Sequence, residues 1–368
     1  MIKRLPILDC LRGLAALLVV LHHYLTFNGQ AVFNLVPRLL WNILSFLNEL
    51  NNEAVLFFFV LSGFCIALAT KGHLIKSKNE TNLFLYKRFK RILPVYLLAL
   101  LFSLIVGWTM SKLTLPEYAW SNLIGNLLFL QTSTGATDFW FSPYGSNGPL
   151  WSLAYEMFFY LVFPLYSYLL LKKKYLYAQN YQLILLFSVS LTCIALNKFF
   201  IYIPYFAFLS YFVIWIAGFL VACHFLNETK NDKLFIALFL CGLLSLIFHE
   251  LIISDALLEV IKGLWIASFF YIVIRFEKIW RPSVHRIFIW LTNVFSYVGH
   301  GSYALYALHY PLLMLMNHFK IALSVQLFIL MISIILCPMI EQRLQHLQLT
   351  FLNRNYLFWY SNTHSSKS

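Results

Sequence analysis

The chain has 368 residues, 61% of them hydrophobic and only 11% charged, with a formal net charge of +13. An ordinary soluble domain carries about 25% charged residues, so a mean hydropathy of +0.75 excludes a soluble globular fold and defines a polytopic membrane protein. The basic residues gather in loops on one side of the expected bundle, a distribution that argues against nucleic-acid binding.

A membrane-spanning helix needs about 20 mostly apolar residues. Ten segments approach that length: roughly 7–27, 54–70, 92–110, 150–171, 182–202, 205–226, 234–253, 256–274, 302–319 and 321–340. The expected fold is therefore an all-α polytopic transmembrane helical bundle of about ten spans. The N-terminus resembles a signal peptide only superficially. Asp9 and Arg12 interrupt its apolar run, and His22-His23-Tyr24 stand where small residues should precede a cleavage site. It is expected to remain as the first span. Two apolar stretches, Trp120 to Leu130 and Phe288 to Val298, are short for a crossing and are expected to be interfacial or re-entrant.

With both ends cytoplasmic, 22 of the 27 Lys and Arg residues fall on the inner side. Only Arg38, Lys112, Lys198, Lys262 and Lys320 fall outside. The positive-inside rule supports that orientation. No internal repeat is evident, which weakens a transporter built from inverted halves. The expected organisation is a membrane domain over 1–345 and a polar, frayed cytoplasmic tail over 346–368, with no soluble catalytic domain at either end. The six cysteines show no metal or redox spacing and read as small buried apolar residues. No metal is expected.

Ionisable residues within spans are costly and mark function. In the first span Asp9 and Arg12 are three apart and can pair. Arg12 and His23 are eleven apart, about three turns plus 20°, so they share a helix face about 16 Å apart. His22 points about 80° away. A lone membrane histidine is more often structural; the stripe with Arg12 shifts the balance towards chemistry. Phe57 to Phe64 contains Ser62-Gly63, which lets a helix or ligand approach the backbone closely. Tyr86 to Pro94 places Arg88 and Arg91 three apart at the mouth of the third span. Paired guanidinium groups suit phosphates, although a basic cluster there is also ordinary topology.

Gly148 to Glu156 opens the fourth span. Ser152, Glu156 and Tyr160 form an i, i+4 stripe, and Glu156 is the one acid well inside that span. Gly299 to Pro311 places Ser302, Tyr306 and His309 on one face, with Pro311 removing a backbone donor near His309.

Together these segments resemble the integral-membrane acyltransferase-three family, typified by bacterial O-antigen and exopolysaccharide O-acetylases. The resemblance covers residues 8 to 311 in five ordered signatures. It implies transfer of an acyl group, usually acetyl, from cytoplasmic acyl-coenzyme A (acetyl-CoA) to a hydroxyl of a cell-surface or lipid-linked glycan, in the bacterial inner membrane. It also implies that His23 with Arg12 is essential and that Arg88 and Arg91 serve the donor. Trp151, Ser152, Tyr306 and His309 are then candidates for substrate binding, and Glu156 or Asp9 for orienting the imidazole. Counted from Ile7, His23 lies roughly 24 Å deep, past the midplane of a core about 30 Å thick, with Glu156 expected at a comparable level. Membrane lipids are the remaining expected partner. The competing class is a transporter or flippase without chemistry, with His23, Glu156 and His309 as a proton relay.

Overall fold

The computed structural model describes residues 6–132, 140–172, 179–200, 203–227, 232–247, 254–280 and 286–364. Among the described residues thirteen α-helices follow one another: α1 Pro6–Leu35, α2 Arg38–Glu49, α3 Asn51–Thr70, α4 Lys78–Thr109, α5 Trp120–Leu127, α6 Trp151–Lys172, α7 Gln179–Phe199, α8 Pro204–Asn227, α9 Asp232–Ile247, α10 Asp255–Trp280, α11 Arg286–His300, α12 Ser302–His318 and α13 Leu323–His364. Among the described residues there is no strand, only an isolated bridge between Gln131 and Phe141.

Helices stand at all ten expected span positions. Eight of them (α1, α3, α4, α6, α7, α8, α10 and α13) are long and apolar enough to cross a bilayer. The other two, α9 and α12, run for 16 and 17 residues. The protein is thus a multi-pass helical membrane protein.

Three differences from the sequence expectation have clear causes. α4 starts at Lys78, so the basic cluster through Arg91 lies inside a 32-residue helix. Ser77 caps it: its side chain accepts from the Glu80 amide, while Glu80 accepts from the Lys76 amide, a reciprocal capping arrangement. The second difference is α2, whose apolar residues recur at helical spacing although the segment is too short to cross. The third is the tail: its backbone is assigned to α13 as far as His364.

Between helices in lipid there is no hydrophobic drive, so small residues and polar contacts decide the packing. α3 and α8 approach at a glycine pair. A Cβ on Gly63 would lie 1.9 Å from the Trp215 carbonyl oxygen, and one on Gly218 would lie 2.0 Å from that of Val60. α1 and α11 repeat the device, with Gly13 against the Phe295 carbonyl and Gly299 against that of Asp9. α8 is apolar on all sides and buried continuously from Ser210 to His224, which makes it the core helix of its half of the bundle. α12 lies against α1, α4 and α13.

The irregular segment after α5 is satisfied by side-chain amides. Asn126 Nδ2 donates to the carbonyls of Asn122 and Ser142, and its Oδ1 accepts from the Tyr144 amide. Gln131 donates to the Leu150 carbonyl. Asn147 Nδ2 donates to the Ala307 carbonyl at 3.0 Å. That carbonyl lies four residues before Pro311, whose missing N–H would leave it unpaired. The stretch of α12 that carries His309 is therefore held from outside the helix.

Candidate active site

One cavity gathers polar side chains from five helices. Its walls include Arg12 of α1, Ser62 and Cys65 of α3, Arg88 and Arg91 of α4, Ser152, Glu156 and Tyr160 of α6, and Ser302, Tyr303 and Tyr306 of α12. Its volume is about 90 Å³. The i, i+3 spacing of Arg88 and Arg91 turns both towards it, and the i, i+4 spacing of Ser152, Glu156 and Tyr160 does the same on α6.

Glu156 is held by hydroxyls. Its Oε1 accepts from Ser62 Oγ at 2.7 Å and from Tyr160 OH at 2.5 Å. Ser62 Oγ in turn accepts from Trp215 Nε1 at 3.1 Å. The glycine contact between α3 and α8 thus sets the indole, the serine and finally the carboxylate. Ser152 Oγ and Tyr306 OH are 2.7 Å apart and pair α6 with α12. Arg12 donates to Asp9 Oδ1 at 3.0 Å and to Cys65 Sγ at 3.4 Å. Arg88 stacks over Phe84 and Tyr160 at 5.7 and 6.0 Å, and its Nε is buried without a partner.

The histidine pair adjoins this cavity rather than lining it. His309 Nδ1 lies 3.0 Å from the Leu305 carbonyl, and its Nε2 lies 3.0 Å from His23 Nδ1. His23 Nδ1 also lies 2.9 Å from the Val19 carbonyl. A carbonyl only accepts, so both Nδ1 atoms carry hydrogen. The single Nδ1 hydrogen of His23 is then shared between the Val19 carbonyl and the His309 Nε2 lone pair, which leaves the lone pair of His23 on Nε2. Tyr306 connects the two regions: it lines the cavity and its ring packs 6.3 Å from that of His309.

Several sequence expectations change here. Arg12 and His23 share a stripe, yet Arg12 reaches Cys65 on α3 and His23 reaches His309 on α12. A 30-residue helix crosses several neighbours, so one face need not have one partner. Among the described residues neither Asp9 nor Glu156 is hydrogen-bonded to the His23 imidazole. Asp9 bonds Arg12 and lies 3.4 Å from His300, while Glu156 is taken up by Ser62 and Tyr160. Trp151 packs on Tyr155 and Phe59, outside the cavity wall. Cys65 is not merely a buried apolar residue, since it lines the cavity and accepts from Arg12.

Glu341 was not among the sequence candidates. It is buried in α13 and accepts from the Ala304 amide at 3.2 Å, so it caps α12, whose Gly301 supplies no side chain for that purpose. An isolated acid directly after the last apolar stretch is the available signal. Among the described residues, no group of His, Cys, Asp and Glu is arranged to hold a metal ion.

The acyltransferase domain model matches residues 5–340 of the chain. Acyltransferase MdmB of Streptomyces mycarofaciens is 32% identical over 177 residues, which is 47% of this chain and 41% of that protein. The chain therefore aligns with well under half of that relative's length. No solved structure matches it. The domain match runs from the start of α1 into α13, through every wall of the cavity and both members of the histidine pair, and the chain belongs to the acyltransferase-three family.

Proposed function

We propose that the protein is a membrane O-acyltransferase of the bacterial inner membrane. It moves an acetyl or other acyl group from cytoplasmic acyl-CoA to a hydroxyl of a cell-surface or lipid-linked glycan. The observation that carries this reading is the cavity with Arg12, Arg88 and Arg91 in its wall, joined through Tyr306 to a histidine pair in which the remaining lone pair lies on His23 Nε2, with no hydrogen-bond partner among the described residues. Cationic groups suit the donor's phosphates.

In the proposed step the acceptor oxygen attacks the thioester carbonyl carbon, and its proton passes to His23 Nε2. The carbon–sulfur bond then breaks, and the departing sulfur takes that proton back from the imidazolium. His309 is a positioning residue, because its Nε2 accepts from His23 Nδ1 and holds the ring from the side, while the Val19 carbonyl sets the tautomer. Ser152 and Tyr306 line the route between cavity and histidines, and Glu156 keeps the α3–α6 wall in register. Asp9 holds Arg12.

The reading is tested with radiolabelled acetyl-CoA, purified protein and a glycan acceptor. Label on the glycan supports it. Uptake into vesicles with no label on any acceptor supports the transporter reading. In the same assay Arg88→Ala and Arg91→Ala are expected to raise the KM for acetyl-CoA about 10- to 150-fold, as expected for a lost charge-assisted phosphate contact, with little change in acceptor KM. Equal weakening of both substrates would sink the donor assignment.

The domain lies over 1–345, with both termini and the 346–368 tail in the cytoplasm. A cysteine placed at Lys112 should react with an impermeant maleimide from outside, and one at Lys76 only after the membrane is opened. Labelling of the Lys76 position in intact cells would overturn this orientation.

A further inference from the structure

The cavity that holds the three arginines is small. Pockets that bury a drug-sized molecule have volumes of about 300–1,000 Å³, and this one has about 90 Å³. It has room for a thin thioester arm and not for a nucleotide. A second groove of about 360 Å³ lies at the α3–α4 turn. Its polar wall consists of Thr70, His73, Lys76, Glu80, Lys87 and Arg88, with Phe84 among its apolar residues. Glu80 is its one carboxylate, and one of its oxygens is taken by the Lys76 amide.

Arg88 belongs to both walls. Its guanidinium spans them, stacked on Phe84 and Tyr160, and its Nε is buried with no partner. The groove thus has the size and the charge for a polyanion that carries a flat ring, and Arg88 is the wall it shares with the arginine cavity.

We propose that the groove at the α3–α4 turn binds the 3′-phosphorylated adenosine diphosphate end of the donor, leaving the pantetheine arm to pass Arg88 into the inner cavity. Lys76 and Lys87 pair with the phosphates, and the apolar wall at Phe84 receives the base. This rests on the acyl-CoA reading above.

The test is equilibrium binding of tritiated CoA to the purified full-length chain, competed by 3′-phosphoadenosine 5′-diphosphate and, separately, by pantetheine. The wild-type chain and a Lys76→Gln/Lys87→Gln variant are compared. The expected result is that the nucleotide displaces CoA from the wild type, and that the variant loses about tenfold in CoA and nucleotide affinity, the size for two partly exposed phosphate contacts. The advantage of CoA over pantetheine shrinks accordingly, and raised salt narrows the difference between the two chains.

CoA that binds both chains alike would overturn the groove while leaving the donor reading intact. No CoA binding to the wild type would remove the donor reading and the groove with it. Phosphatidylglycerol vesicles provide a further arm. Lipid binding lost in the variant with CoA binding unchanged would make the groove a headgroup site and overturn the proposal.

Discussion

His23→Ala is expected to abolish acyl transfer in protein that still inserts and still binds the donor. A general base contributes about 10²- to 10⁴-fold, and His23 is the member of the pair with an uncommitted nitrogen. His22→Ala should be milder. The His22 ring lies 3.2 Å from the Asn48 carbonyl, in the last turn of α2, whereas the His309 ring bonds His23. His309→Ala should fall between them, lowering kcat more than it raises either KM, because His23 keeps the Val19 carbonyl but loses the acceptor that fixes its ring from the side. The measurement is label transferred by each variant, normalised to folded protein. A dead His22→Ala beside an active His23→Ala would mean that the base is misassigned. Activity in both would remove the histidine mechanism and leave Glu156 as the next candidate.

The sequence made some of this arrangement legible and hid the rest, for separable reasons. Ten apolar stretches could be read as helices because backbone groups in lipid must be satisfied within the segment. Arg88 with Arg91, and Ser152 with Glu156, line one cavity, as residues three or four apart on a single helix can. What escaped was the partner of each group, which depends on how helices are placed against one another. Glu156 finds Ser62 on α3, and His23 finds His309 across 286 positions of chain. Helical periodicity says which side a residue faces and nothing of which neighbour stands there. α2 escaped for another reason: its 12 residues are too short for a span, and a search for spans passes over an amphipathic helix of that length.

The glycine contact between α3 and α8 yields the largest expected effect on stability. Gly63→Ala would place a methyl group 1.9 Å from the Trp215 carbonyl oxygen. The obstacle is helix backbone, so no side-chain rotation relieves it, and α3 must move away from α8. Overpacking of this kind costs about 1–3 kcal/mol and at times more, and here the loss extends to the site. Ser62 is the adjacent residue, and its bonds to Trp215 and Glu156 depend on the same approach. Gly63→Ala should therefore lower both the thermal midpoint of the detergent-solubilised protein and the transfer rate of whatever folds. Gly218→Ala, whose methyl would meet the Val60 carbonyl at 2.0 Å, should act similarly. The double variant should lose less than the sum of the two, since once the helices have parted the second methyl meets a wider gap. Gly29→Ala is the control, because its nearest contact is the Trp41 ring at an ordinary 3.8 Å. A Gly63→Ala protein with an unchanged midpoint would mean that α3 and α8 do not touch at this pair, and the path from Trp215 through Ser62 to Glu156 would then lack its support.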